Sequence, residues 1–182
     1  TILPGHRLTL SFPQMTITGA LLQDAAGRES QLTELHDALI LPAADSARTL
    51  YLSYSKIVAV ETDNLISPAG ISLNRNWHPL PDQPMRFRVS AVLPENFTAI
   101  TESDSFPLKG RGKKIHAEYR TPTTAIHFTA GPYTIHKRQV RENLFVYSLF
   151  FPEDAELADS YLEAAARYLL RYEQEIGPYP YN

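Results

Sequence analysis

The sequence predicts a mostly β protein, a β-sandwich of antiparallel and mixed strands or a curved sheet, followed by one C-terminal α-helix. Between positions 6 and 151, short apolar runs alternate with polar residues, the pattern of strands buried on one face. The 14 prolines fall largely between these runs, where they close turns. After position 152 the apolar period changes from two to about 3.6, which indicates an amphipathic helix.

The β region reads as one unit without internal repeats. No fixed period recurs along the chain, so a propeller or a solenoid has no support. We therefore expect a β domain over residues 1–151, and a helix with its following loop over residues 152–182. The predicted strands cover residues 8–12, 16–22, 35–41, 49–54, 57–60, 86–93, 125–130 and 144–151.

The predicted helix carries an apolar stripe that needs a partner. Two solutions remain open: packing back on the sheet, or packing within a second domain that follows this one. The stripe consists of Leu157, Tyr161, Ala165, Tyr168, Tyr172 and Ile176.

Both ends of this helix have typical signals. Asp154 is the predicted N-cap, and acidic residues follow where the helix dipole favours them. Gly177 is expected just past the last turn, where a left-handed conformation suits glycine, and Pro178 prevents continuation. Two i,i+4 ion pairs are predicted on the exposed side, Glu163 with Arg167 and Arg171 with Glu175.

Composition excludes several function classes. The chain has no cysteine, so disulfides, thiolate zinc sites and thiol nucleophiles are absent. The net charge is -3, and mixed charges give no electrostatic footprint for nucleic acid. We interpret the basic run at residues 109–114 as a solvated loop, because two glycines interrupt it. No apolar run is long enough for a membrane span, and the compartment stays undetermined.

The segment at residues 74–84 resembles a signature of the aminopeptidase N family of zinc metallopeptidases. It reads Asn-Arg-Asn-Trp-His-Pro-Leu-Pro-Asp-Gln-Pro, which is similar to Ala-Arg-x-x-Phe-Pro-x-x-Asp-x-Pro. The residues at matching spacing are Arg75, Pro79, Asp82 and Pro84.

Three further matches follow in the same order along the chain. A strand ending in proline and a short strand at residues 99–101 are similar to the next family elements, and residues 129–133 resemble a later Gly-x-Tyr strand end. The helix and the residues after it resemble the opening of the family's catalytic domain. This last match rests on Gly177, Pro178, Tyr179 and Pro180.

The resemblance implies a saddle-shaped N-terminal β-sandwich, followed in the same polypeptide by a thermolysin-like catalytic domain that holds zinc. The partners implied are that downstream domain and, through the longer protein, a peptide substrate. No His-Glu-x-x-His and no Gly-x-Met-Glu-Asn occur in these 182 residues. We therefore expect no catalytic residue, cofactor or metal site in this chain, and its substrate-binding residues stay unknown.

One departure concerns specificity. Aminopeptidases of the family usually carry a glutamine shortly before the Ala-Arg, where it helps to bind the substrate amine. Residues 67–70, Ser-Pro-Ala-Gly, occupy that region here. The resemblance is therefore to an aminopeptidase-like protein rather than to a strict aminopeptidase.

Other side chains offer weaker hypotheses. His116, His127 and His136 lack a ligand spacing, and scattered strand histidines are mostly surface or hydrogen-bonded residues. The carboxylates Glu102 and Asp104, or Glu153 and Asp154, fit a charged turn and a helix start better than a glycosidase pair. Aromatic residues could form a platform for sugars or peptides, which makes a stand-alone ligand-binding or adaptor module the alternative function. They are Trp77 and the tyrosines at positions 51, 54, 119, 133 and 147.

Overall fold

The structure, a computed structural model, describes residues 1–33, 35, 37–58, 63–103, 108, 110–111 and 114–180. Its contacts divide the chain into two compact units. Unit 1 comprises Thr1–Glu95 and Ala99–Thr129, and unit 2 comprises Asn96–Thr98 and Ala130–Asn182. The separate expectation of a domain boundary at residues 151 and 152 stays a prediction.

The described residues form fifteen strands, one 3-10 helix and one α-helix. This composition confirms the mostly β class with a single C-terminal helix. The strands are β1 (Leu8–Ser11), β2 (Thr16–Gln23), β3 (Glu29–Gln31), β4 (Ala38–Leu41), β5 (Thr49–Ser55), β6 (Asn64–Ser67), β7 (Gly70–Leu73), β8 (Leu80–Pro81), β9 (Arg88–Val92), β10 (Thr98–Thr101), β11 (Gly110–Arg111), β12 (Lys114–Glu118), β13 (Phe128–Gly131), β14 (Thr134–Arg141) and β15 (Leu144–Phe150).

Unit 1 consists of several small sheets. Their strand orders are β4-β1-β8, β3-β2-β5 and β11-β12-β9, with antiparallel pairing throughout. A fourth sheet has the order β10-β13-β7-β6. A core cluster forms where β1 and β4 alternate apolar side chains inward, and its buried members are Ile2, Leu8, Leu10, Phe12, Leu39 and Leu41.

The predicted and observed strands agree best where apolar and polar residues alternate regularly. Strands β1, β2, β5, β9 and β15 lie within the predicted ranges or extend them by one residue. The predicted strand at residues 57–60 is different: Ile57 is 91% exposed and outside any strand, and residues 59–60 lie outside the described part of the chain. The sequence did not indicate β14, because its residues Thr-Ile-His-Lys-Arg-Gln-Val-Arg are too polar to alternate.

Unit 2 is a β-hairpin covered by a helix. Strands β14 and β15 pair antiparallel from Thr134 opposite Phe150 to Arg141 opposite Leu144. The α-helix α1 (Ala158–Glu175) follows the 3-10 helix Pro152–Leu157 and packs on both strands. Its buried residues are Ala158, Leu162 and Ala166, and two alanines in this row allow the helix backbone to approach the hairpin closely.

The helix ends differ in part from the prediction. Asp154 is not an N-cap, since neither helix start has a side-chain cap and the Asp154 amide donates to the Phe151 carbonyl at 3.0 Å within the 3-10 turn. The expected pair Glu163 with Arg167 is also wrong, because it is not among the ion pairs of the described residues. The pair Arg171 with Glu175 is confirmed at 2.7 Å, and Gly177 has the expected positive φ, 135°.

Candidate functional site

The signature loop, residues 74–84, is fixed by a side chain outside it. Asn64 is 4% exposed and lies at the start of β6. Its Oδ1 accepts from the amides of Asn74 at 2.7 Å and Arg75 at 3.0 Å, and its Nδ2 donates to the Arg75 carbonyl at 2.7 Å. One buried amide therefore satisfies three backbone groups at the start of the loop.

The middle of the loop binds both backbone polar groups of a single residue in unit 1, Ile126. Trp77 Nε1 donates to the Ile126 carbonyl at 2.7 Å, and the Ile126 amide donates to His78 Nε2 at 3.1 Å. Since Nε2 accepts, the His78 proton is on Nδ1, which lies 2.8 Å from the Pro79 carbonyl. His78 must therefore be neutral in this arrangement.

The surroundings of His78 favour its neutral form. Burial lowers the pKa of His78 below its ordinary value of 6.5; the bond to the Pro79 carbonyl acts in the opposite direction. The ring also makes edge contacts with Trp77 and Phe87, at centroid distances of 5.0 and 5.7 Å. The histidine thus belongs to an aromatic cluster and has no free ring nitrogen for a ligand.

The four residues that carry the resemblance in this loop do not converge on one point. Arg75 lies 3.2 Å from Asp63 Oδ2, and both side chains are exposed. Asp82 lies 3.6 Å from Arg7, and its amide donates to the Thr9 carbonyl. Pro79 follows His78, and Pro84 lines an open cavity at the N-terminal segment. These contacts connect the loop that follows β7 to β1.

The other four residues that carry the family resemblance follow α1. Gly177 and Pro178 turn the chain, and the Tyr179 amide then donates to Glu173 Oε1 at 3.0 Å. Glu173 also accepts from Arg141 Nη2 at 2.8 Å. The Arg141 hydrogen bond, with help from the Tyr179 amide, holds the pKa of Glu173 below its usual range. The segment from Gly177 to Pro180 is therefore anchored to the hairpin through a single carboxylate.

The predicted stripe of α1 remains on the surface. We call Leu157, Tyr161, Tyr168, Tyr172 and Ile176 the tyrosine face. Tyr161, Tyr168 and Tyr172 are 60%, 49% and 53% exposed. The rings of Tyr168 and Tyr172 are nearly parallel, with centroids 6.5 Å apart. The helix thus has two neighbouring apolar rows, one buried on the hairpin and one facing outward.

The residues that the structure describes do not offer the donor set of a zinc site. Among them, no three His, Asp or Glu side chains lie close enough to hold a metal ion. His116 is paired with Ser90 and His127 with Glu102. Asp104 of the suggested carboxylate pair, and Lys109, Gly112 and Lys113 of the basic run, lie outside the described residues.

The suggested aromatic platform is not an open surface around Trp77. Trp77 is half-buried with its indole N–H satisfied, and its carbonyl accepts from the Tyr54 hydroxyl at 3.2 Å. In unit 2, the Tyr133 ring lies so close to Gly131 that a Cβ on residue 131 would meet it at 2.9 Å. Trp77 and Tyr133 are therefore packing residues.

Among the residues that the structure describes, no helix is long and apolar enough to cross a membrane. No family model matches the chain, and none of the curated proteins is significantly similar in sequence.

Solved structures do resemble the chain. They include an M1 zinc metallopeptidase from Deinococcus radiodurans, a mutant of it, and this mutant bound to a Tyr-Ser-Ala substrate, with TM-scores of 0.59, 0.61 and 0.57. Sequence identity is 17%, 16% and 16% in the same order. The matches cover 98% of this chain and 47% to 48% of those chains. The chain therefore shares a fold with part of these M1 zinc metallopeptidases and spans about half their length.

Proposed function

We propose that this chain is the non-catalytic N-terminal domain of a longer zinc-metallopeptidase-like protein. In this proposal the tyrosine face of α1 packs on the catalytic domain that follows. The predicted β domain, residues 1–151, forms one side of a peptide-binding cleft. The zinc belongs to that following domain, where it would supply an activated water. The residues described here would position peptide and exclude solvent.

The tyrosine face carries this proposal. A row of exposed tyrosines, leucine and isoleucine lies next to a row that is already buried. A surface helix that packs only on its own domain needs one buried apolar row, so the exposed second row indicates a further packing partner. The fold likeness supports the identity of the occupant, since the match leaves about half of each M1 metallopeptidase chain uncovered. The sequence resemblance at residues 172–180 to the opening of a catalytic domain supports the same occupant.

Nitration by tetranitromethane tests the contact, because it modifies accessible tyrosines. In the 182-residue chain we expect Tyr161, Tyr168 and Tyr172 to react. In the longer gene product we expect all three to be protected, because a second domain covers them. Tyr51 on β5 is 52% exposed and serves as the internal control that reacts in both proteins.

The opposite result would favour the alternative, a ligand-binding or adaptor module that stands alone. One observation supports that alternative: α1 already packs one of its rows on β14 and β15. If the three helix tyrosines react equally in both proteins, or if the gene encodes nothing after this region, the metallopeptidase-domain proposal is wrong.

A further inference from the structure

Strand β9 forms an edge of its sheet. In the order β11-β12-β9, it pairs only with β12 within the described part of the chain. The Tyr119 amide donates to the Phe87 carbonyl at 3.0 Å, so residue 87 is hydrogen-bonded towards the β12 side. Because the hydrogen-bonding direction alternates along a strand, the amides and carbonyls of Arg88, Ser90 and Val92 point to the open side.

The side chains of these three residues are also accessible. Arg88, Ser90 and Val92 are all exposed, and Val92 retains 68% of its surface. They lie on the outer face beside the exposed side chains of β12, where Arg88 pairs with Glu118 at 3.0 Å and Ser90 contacts His116 Nδ1 at 2.7 Å. An incoming strand would therefore meet backbone groups that have no strand partner among the described residues, and a formed row of polar side chains.

The exposed face beside this edge carries arginines although the whole chain has a net charge of -3. Two open cavities of about 600 and 360 Å³ lie over the face that β9 and β12 form, and both are lined by Arg88 and Glu118. Arg86 and Arg120 line the larger one. Among the described residues, Arg86 makes no ion pair. The residues that line these two cavities thus include three arginines and one carboxylate, which favours an acidic partner.

We propose that the open edge of β9 binds an extended acidic peptide segment as an additional strand. Backbone hydrogen bonds to Arg88, Ser90 and Val92 would hold the peptide, as in other cases of strand addition. Carboxylates on every second peptide residue would lie near Arg86 and Arg88. The site lies in unit 1 and does not depend on a following catalytic domain.

Fluorescence anisotropy with the full 182-residue chain tests the proposal. The probe is a labelled, end-blocked peptide of alternating glutamate and threonine. The first control is the same peptide with lysine in place of glutamate, and the second carries N-methyl groups on alternate amides. We expect binding of the first peptide only, weakened by salt. Equal binding of either control would overturn the proposal.

Protein variants give a second test, because one variant should weaken peptide binding and another should tighten it. Arg86→Gln with Arg88→Gln should weaken binding roughly tenfold, since two exposed charge contacts are lost. Glu118→Gln removes the competing carboxylate and should tighten binding. Arg167→Gln, on the exposed side of α1, is the matched control and should leave binding unchanged. Unchanged affinity in both groove variants, or self-association through β9 that excludes the probe, would contradict the proposal.

Discussion

At the scale of single residues, His78 makes the stability of the protein depend on pH. The folded state needs the neutral imidazole, and burial lowers its pKa below 6.5. The unfolded chain therefore binds a proton at a higher pH than the folded chain does. The stabilising contribution of His78 is complete above pH 6.5 and is lost as the pH falls towards the folded-state pKa.

Urea denaturation between pH 7.5 and pH 5 measures this effect. We expect the free energy of unfolding to decrease below about pH 6.5, the unperturbed histidine value. His78→Gln retains an acceptor for the Ile126 amide but does not titrate, and it should cost about 1 kcal/mol at neutral pH. The decrease should be smaller in this variant. Parallel pH curves for the two proteins would show that His78 is not the group responsible.

Asn64, which lies before the signature loop, and Arg75, which lies in it, give a contrasting pair of predictions. Asn64→Ala leaves three backbone groups without their partner in a buried site, so we expect a loss of about 3 kcal/mol. Arg75→Ala removes an exposed ion pair, and the loss should be below about 0.5 kcal/mol. Chemical denaturation of both variants measures the difference. A larger effect for Arg75 would mean that its side chain has a structural role beyond the contact with Asp63.

Asn64 also shows why the loop was only partly predictable. The spacing of Arg75, Pro79, Asp82 and Pro84 identified the loop, but the residue that fixes its backbone is ten positions before it. An isolated asparagine at a strand start gives no such signal, because its three hydrogen bonds depend on how β6 and β7 pair. Pairwise tertiary contacts of this kind are not encoded in local spacing.

At the scale of elements, the buried row of α1 should contribute more to stability than an exposed leucine of the same helix. Leu162 is 4% exposed and Leu170 is 42% exposed. We expect Leu162→Ala to cost about 3 kcal/mol, since it leaves a cavity on the hairpin. Leu170→Ala should cost less than about 1 kcal/mol. Thermal and urea unfolding of the two variants provide the measurement, and equal losses would mean that the helix packs with another face.

Helix α1 also shows what the spacing of apolar residues cannot predict. The 3.6-residue period predicted its existence, Gly177 and Pro178 predicted its end, and both predictions are correct. However, two adjacent apolar rows have the same period, so the pattern could not decide which row is buried. The hairpin selects the row with Ala158 and Ala166, because small side chains permit close packing. The larger tyrosine row is left outside.

Strand β14 was missed for a related reason. Its polar residues are stabilised by the partner strand rather than by burial: Lys137 Nζ lies 3.7 Å from the centre of the Phe145 ring. Such a cation–π contact favours a strand without apolar alternation. Only the cross-strand register, which local sequence does not give, brings these two residues together.

At the scale of the whole molecule, sequence resemblance and structural likeness support the same fold. The resemblance rests on short motifs between residues 74 and 180, and the structural match covers 98% of the chain at 16% to 17% identity. Folds persist at such identities because many sequences satisfy the same pattern of buried positions. Activity does not follow from fold, so peptide binding and zinc remain proposals about the longer protein.

The two exposed features have different origins in the sequence. Periodicity alone identified the residues of the tyrosine face, since an apolar row is a property of one helix, although it did not predict that this row is the exposed one. The arginines beside β9 were not identified, because Arg86, Arg88 and Arg120 become neighbours only when β9 and β12 pair. The first feature supports the proposed contact with a following domain, and the second supports the proposed binding of a separate peptide.

Finally, the Glu173 carboxylate connects three parts of unit 2. It lies in the last turn of α1 and accepts from the Tyr179 amide after the helix and from Arg141 on the hairpin. Loss of this one side chain would therefore release the segment after Gly177 and the last helical turn from the hairpin together.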